Sequence, residues 1–252
     1  MRSLRRLWPW IAAFAIVASV AFLIEFYGSR LYPLTHYEAR FLPPLKVGLR
    51  HRYDIYKDDQ LVGHYDFWVV DIEERDGDRI YITRSRTSAL YRGVNITIET
   101  LYVFDEELNP IEYRLNATLG EEHQSLLCLF EGSMVNASLK LGDQVVEREL
   151  ELPEDTVLID TNMASQWELF FSSFELTPGK RVRFTIFIPQ LLAKAKIDVI
   201  LERKKEEIIV RDVEYTCQVA RAPDLNLVFY IYKGRLLKLE QTKENVEIVA
   251  SS

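Results

Sequence analysis

Four histidines, two cysteines and a scatter of carboxylates are the side chains here that could do chemistry, and their spacing decides what that chemistry would be. His36, His51, His64 and His123 have no cysteine or carboxylate at metal-ligand spacing, so no metal site is expected. Glu121-Glu122-His123 follows Gly120 and reads as a loop edge rather than an acid/base pair. His51 and His64 fall on one hairpin, on opposite faces in the register derived below, and read as structural histidines. Gly132-Ser133 lacks the second glycine and the strand–helix context of a nucleophile elbow. The ten glycines stand singly in turns, which leaves no phosphate-cradling loop. No catalytic residue and no cofactor are therefore expected, and the chain does not read as an enzyme.

Cys128 and Cys217 both lie in apolar strands. Outside the cytoplasm they could pair as a disulfide, and inside a core they would serve equally as small buried hydrophobes. Asn95-Ile96-Thr97, Asn116-Ala117-Thr118 and Asn136-Ala137-Ser138 are glycosylation sequons, usable only where the transferase exists.

These residues must be held by something, and the first stretch to place is Met1 to Arg30. Arg2, Arg5 and Arg6 precede an apolar run from Leu7 to Ile24, extended by Phe26 and Tyr27. A helix of roughly 20 apolar residues crosses a bilayer. Trp8, Trp10, Phe26 and Tyr27 sit at its two ends, where amphipathic rings favour headgroups. Residues 1–30 are therefore expected to form a single-pass transmembrane anchor. The arginines put the N-terminus in the cytoplasm and the bulk of the chain outside, periplasmic or at the cell surface. A cleaved signal is the competing reading, since Ser19-Val20-Ala21 has a small-x-small form. Cleavage there would leave a strongly apolar new N-terminus. Residues 31–45, with Pro33, Pro43 and Pro44, read as a stalk.

The chain is 252 residues long, and a 27% charged, 48% hydrophobic composition makes the part beyond the anchor globular rather than disordered. Net charge is −7; the anchor carries Arg2, Arg5, Arg6 and Arg30 against Glu25, net +3, so the remainder holds −10. Such an acidic exterior argues against nucleic acid and against an electrostatic grip on anionic lipid.

From residue 46 to 252 alternating runs recur, punctuated every ten to fourteen residues by turn signals such as Asp76-Gly77, Arg92-Gly93 and Gly142-Asp143. Leu49, His51, Tyr53 and Ile55 share one face of the first strand. Matching faces pairs Ile55 with Gly63, Tyr53 with Tyr65, His51 with Phe67 and Leu49 with Val69. That register predicts a three-residue loop, Asp58 to Gln60. Further on, Ala195 to Leu201 alternates, Arg203-Lys204-Lys205-Glu206 is expected to turn it, and Ile208 to Val219 follows. The meander breaks once: Met163, Trp167, Phe170, Phe171 and Phe174 recur at helical spacing after Asp160-Thr161-Asn162, any of which could cap. The fold class predicted is mainly β, a curved antiparallel sheet or open β-barrel wrapped on one central helix near 162–175.

Several stretches together resemble an uncharacterised extracytoplasmic open-barrel family related to the lipoprotein carriers (LolA/LolB-like). Val47-Gly48 with Leu61-Val62-Gly63 resembles its opening hairpin. The run Tyr102 to Ile111, with Asp105 and Pro110, resembles its strand connection. Ser165 to Lys180, ending Leu176-Thr177-Pro178-Gly179-Lys180, resembles its central helix and turn, and Tyr230 to Leu239 its closing hairpin. The resemblance implies a curved sheet around a helix with an apolar groove, which in the carriers holds acyl chains. This chain departs from the carriers in its expected anchor and its acidic charge.

The leading expectation is a membrane-anchored binding module for an apolar or lipid-like ligand, with Met163, Trp167, Phe170, Phe171 and Phe174 lining the groove. The alternative is a structural or interaction domain of an envelope complex, its core filled by those same aromatics. An apolar pocket of at least about 300 Å³ beside the helix separates the two.

Overall fold

Period-two alternation runs through nearly every segment after Lys46, and each run forms a strand whose apolar set turns inward. The computed structural model describes residues 34–35, 38–39, 45–75, 77–153, 155–160, 164–175 and 177–251. The expected anchor, the stalk prolines, His36, the cap candidates Thr161 and Asn162, and Met163 lie outside the described residues. Among the described residues, no helix is long and apolar enough to cross a membrane.

The strands are β1 (Glu38–Ala39), β2 (Arg50–Lys57), β3 (Gln60–Arg75), β4 (Asp78–Tyr91), β5 (Val94–Asp105), β6 (Pro110–Leu119), β7 (Glu122–Glu131), β8 (Met134–Leu141), β9 (Gln144–Glu151) and β10 (Thr156–Leu158). After the helix α1 (Ala164–Ser173) come β11 (Phe174–Glu175), β12 (Lys180–Ile188), β13 (Ala193–Val210), β14 (Val213–Ala222), β15 (Leu227–Tyr232), β16 (Arg235–Gln241) and β17 (Val246–Ala250). Fifteen of them form one sheet in the order β10-β12-β13-β14-β15-β16-β17-β2-β3-β4-β5-β6-β7-β8-β9; β1 and β11 pair separately. The sheet wraps around α1 with its two end strands unjoined, so the barrel is open. The far sides do approach each other: Lys194 Nζ donates to the Glu151 carbonyl at 2.9 Å, and the rings of Phe130 and Phe187 lie 6.1 Å apart.

One pair departs from the expected antiparallel pattern. β10 runs parallel to β12, Thr156 opposite Thr185 and Leu158 opposite Phe187. The reason is topological: α1 sits between them as a crossover, which returns the chain in its original direction.

The first hairpin keeps the expected register by a different device. His51 faces Phe67, Tyr53 faces Tyr65 and Ile55 faces Gly63, but Tyr56 faces Leu61. Val62 is an extra residue, a bulge, and the loop has two residues, not three. Asp58 and Asp59 close it with φ of +50° and +62°. A bulge plus a two-residue turn restores the same parity as an odd loop. Beside the bulge, β4 presses on β3: a Cβ on Gly63 would lie 2.3 Å from the Ser88 carbonyl oxygen and 2.6 Å from Ala89 Cα.

The expected turn at Arg203-Glu206 is a second correction. These residues lie inside β13, exposed, where the register with β14 slips between Leu201 and Lys205. The chain reverses at Arg211-Asp212 instead, with φ of +51° and +60°. A charge run solvates a bulge as readily as it does a turn, and Arg211-Asp212 lacks the glycine or asparagine that usually marks a hairpin, Asp212 being its one turn-prone residue.

Gly63→Ala should destabilise the protein by about 1–3 kcal/mol, because the clash is with backbone rather than a movable side chain. Gly142→Asn, at φ +58° in open space, should change stability by no more than about 0.5 kcal/mol. Urea denaturation midpoints of the two variants check the contrast.

Candidate functional site

A helix with one apolar stripe normally keeps its other face in water. α1 has no such face: Ser165, Gln166, Glu168 and Ser173 are buried along with Ala164, Trp167, Leu169 and Phe170. The two faces are held differently.

The aromatic face packs on the strands that follow it in sequence. Trp167 lies 4.6 Å from Phe229 of β15, Phe170 lies 4.6 Å from Phe184 of β12, and Phe171 lies 4.9 Å from Phe229, centroid to centroid. Phe174 continues the stripe past the helix end, 5.3 Å from Phe184. Four of the five residues expected to line a groove are thus brought together as core; Met163 is outside the described residues. Trp167 and Phe170 are 0% exposed, Phe171 and Phe174 half-buried.

The polar face looks the other way, onto β2 and β3. Ser165, Glu168 and Ser172 share one side of the helix at spacings of three and four. Tyr53 donates its hydroxyl hydrogen bond to Glu168 Oε2, and His51 Nδ1 lies 3.0 Å from the same oxygen. Tyr65 exchanges a hydrogen bond with Ser165 Oγ. On β6, Tyr113 donates to Asp160 Oδ2 at 2.6 Å, just ahead of the helix, while the Asp160 N–H donates to Gln166 Oε1. Ser85 and Thr100, directly opposite each other on β4 and β5, share a 2.7 Å hydrogen bond beneath. Tyrosine suits these positions because its ring fills the sheet's concave side while its hydroxyl reaches the helix.

Burial pushes the Tyr53 hydroxyl well above its ordinary pKa, and the Glu168 carboxylate pushes it further. Burial does the same to Tyr113, reinforced by Asp160, and to Tyr65 and Tyr102. Beside Glu168 a small cleft of about 60 Å³ opens, walled by Leu45, Leu49, Phe67 and Leu169, with His51, Ser165 and Ser172 at its polar side. His51, Tyr53 and Glu168 thus have the parts of a proton relay, an oriented imidazole backed by a carboxylate. The space beside them suits a few waters rather than a substrate.

Sequence reasoning missed this cluster because its halves are 117 residues apart. The signal that was present is the inward parity of His51, Tyr53 and Tyr65 combined with Ser165 and Glu168 at helical spacing. His64 lies on the outer face, 2.8 Å from Asp54 Oδ1, and His123 lies 3.1 Å from Thr118 Oγ1. No group of three or more His, Cys, Asp or Glu able to hold a metal occurs among the described residues.

The two cysteines lie on well-separated strands. Cys128 and Cys217 are both free and buried, on β7 and β14, with β15–β17 and β2–β6 between them in the sheet. Both occupy inward positions of apolar strands, which is packing rather than cross-linking. Burial pushes the Cys128 thiol up to about 12 and raises that of Cys217. Asn95, Asn116 and Asn136 are all exposed on the outer face.

Solved structures with some similarity to this fold include the following. A β-barrel-like protein of a domain of unknown function, DUF1849, from Brucella abortus shares 11% identity over 82% of this chain and 96% of its own, at a TM-score of 0.42. A DUF1089 family protein from Pseudomonas aeruginosa shares 11% identity over 68% of this chain and 87% of its own, at 0.39. A protein described as exported, with a YmcC-like fold, from Bacteroides fragilis shares 8% identity over 84% of this chain and 97% of its own, at 0.33. No family model matches the sequence. No curated protein matches it either.

Two outcomes follow for the buried groups. A tyrosine whose folded pKa is raised holds its full contribution below its unfolded pKa near 10 and loses it as pH rises toward the folded value. Each of Tyr53, Tyr65, Tyr102 and Tyr113 should therefore cost about 1.4 kcal/mol of stability per pH unit above about pH 10. Alkaline unfolding should be abrupt, with tyrosinate absorbance near 295 nm and loss of β circular dichroism rising together. Gradual tyrosinate absorbance in a protein that keeps its β signal would contradict the burial. The two thiols should react with a thiol-specific disulfide reagent at least about a hundredfold more slowly in native buffer than in urea.

Proposed function

We propose that this chain is a membrane-tethered, extracytoplasmic interaction domain of an envelope complex: a β shell filled by its own helix, working through its outer surfaces and edges. One observation carries the reading. Trp167 and Phe170, which would have to line a groove, are fully buried against Phe229 and Phe184, and the cleft beside the helix measures about 60 Å³, well under the roughly 300 Å³ that a lipid-like ligand needs. The tether is the apolar run of residues 1–30, and the acidic remainder keeps the domain off anionic lipid and nucleic acid.

A second reading has its own support. The cleft joins apolar walls (Leu45, Leu49, Phe67, Leu169) to a polar side at His51 and Glu168, the composition of a site for a small amphipathic molecule. The resemblance to lipoprotein carriers points the same way. Under this reading the helix must shift to enlarge the cleft.

Native mass spectrometry of the full-length protein extracted in mild detergent separates the two. The expected spectrum shows the protein mass alone after detergent removal. A stoichiometric adduct of lipid mass, lost in His51→Leu, would overturn the interaction-domain reading in favour of the second.

A further inference from the structure

β9 ends the sheet, and its outer edge presents backbone N–H and C=O groups that no strand among the described residues takes. Seven of its eight residues are exposed, Leu150 being half-buried. An open edge of this kind is a template for another strand. Its side chains say which strand. Glu147, Glu149 and Glu151 stand at alternate positions on the outer face, opposite Ser138, Asn136 and Met134 of β8, and none of the three has an ion pair among the described residues. Beside them an open trough of about 420 Å³ is lined by Leu127 and Leu129 of β7 and, from β9, by Glu147, Arg148 and Glu149.

A second copy of the same edge fits poorly. A two-fold axis through two β9 edges sets residues of equal parity opposite one another, so Glu would face Glu or Arg148 face itself. An alternating basic strand fits well, and the chain holds a small example. In β13, Lys194 and Lys196 alternate with Ala193, Ala195 and Ile197, and Lys194 already reaches the last carbonyl of β9 at 2.9 Å.

We propose that β9 is a docking edge for an extended segment of another protein in which Lys or Arg alternates with apolar residues. The incoming strand pairs its backbone with β9, sets its basic side chains against Glu147, Glu149 and Glu151, and turns its apolar ones toward Val146, Leu150 and the methylene stem of Arg148 between them. This rests on the interaction-domain reading and names where the partner binds and what it carries.

The test is fluorescence anisotropy on the full-length protein in detergent, with three labelled peptides: alternating Lys and Val, alternating Glu and Val, and alternating Lys and Pro. The Lys-Val peptide should bind at least about tenfold more tightly than either other peptide and weaken severalfold between about 50 and 300 mM salt. The double substitution Glu147→Lys and Glu149→Lys, on exposed positions, should invert the preference toward Glu-Val while leaving the thermal melt unchanged. Equal binding of Lys-Val and Glu-Val would overturn the proposal. So would equal binding of Lys-Pro, which keeps the charge and lacks half the donors, since the site would then be an acidic patch and not a strand edge. Self-association in analytical ultracentrifugation that the double substitution abolishes would also overturn it, by making a second copy the occupant. A lipid adduct in the mass spectrum touches only the underlying reading; loss of peptide discrimination touches only this one.

Discussion

Everything in this molecule turns on a helix that is buried on nearly every side. Burying α1 removes Ser165, Gln166, Glu168 and Ser173 from solvent together with its aromatic rings. A buried carboxylate without partners would cost several kcal/mol, enough to consume much of a domain's net stability. The sheet supplies the partners. Tyr53 and His51 meet Glu168, Tyr65 meets Ser165, and Tyr113 meets Asp160 ahead of the helix. The aromatic side contributes the favourable term, since truncating a buried Trp or Phe to Ala typically costs about 3–5 kcal/mol. The polar side decides orientation: rotating α1 by a residue or two would bring Glu168 onto Phe184 and Phe229.

That requirement shapes the sheet. Tyrosine hydroxyls from β2, β3 and β6 can converge on one helix and the residue ahead of it only if the sheet curves around them, which a flat sheet cannot do. Bulges at Val62, and in β13 between Leu201 and Lys205, are places where one strand carries more residues than its neighbour and bends. Gly63 allows β4 to close over the first bulge, where any side chain would meet the Ser88 carbonyl. The parallel β10 at the other end follows from the same helix, whose length is spent as a crossover inside the shell.

Parity was the legible part of this fold. Inward and outward faces, the pairing of Tyr53 with Tyr65, and the single helix near Trp167 could all be read from alternation, because burial on one side of a strand leaves a period-two mark. Turns were less legible. Asp58-Asp59 and Arg211-Asp212 both take φ > 0 without glycine, and the single Asp212 is a weak mark of a reversal. The polar cluster was the least legible. Its two halves lie more than a hundred residues apart, and a tyrosine on an inward face looks the same whether its hydroxyl is satisfied by a helix or by a neighbouring strand.

The packing around α1, among the described residues, also bears on where a ligand could sit. An open barrel that holds a ligand must keep its concave side free, and here that space is taken by Trp167, Phe170 and a hydrogen-bonded polar stripe. Removing the helix to admit a ligand would expose Glu168 and Ser165 alongside several aromatic rings, so the two faces of α1 oppose opening together. Outside, among the described residues, the shell leaves the unpaired edge of β9, its row of carboxylates, and the exposed Leu129 beside them. Of the sheet's two end strands, β10 is three residues long and mostly buried while β9 is eight residues long and mostly exposed, so the longer stretch of open backbone lies on β9.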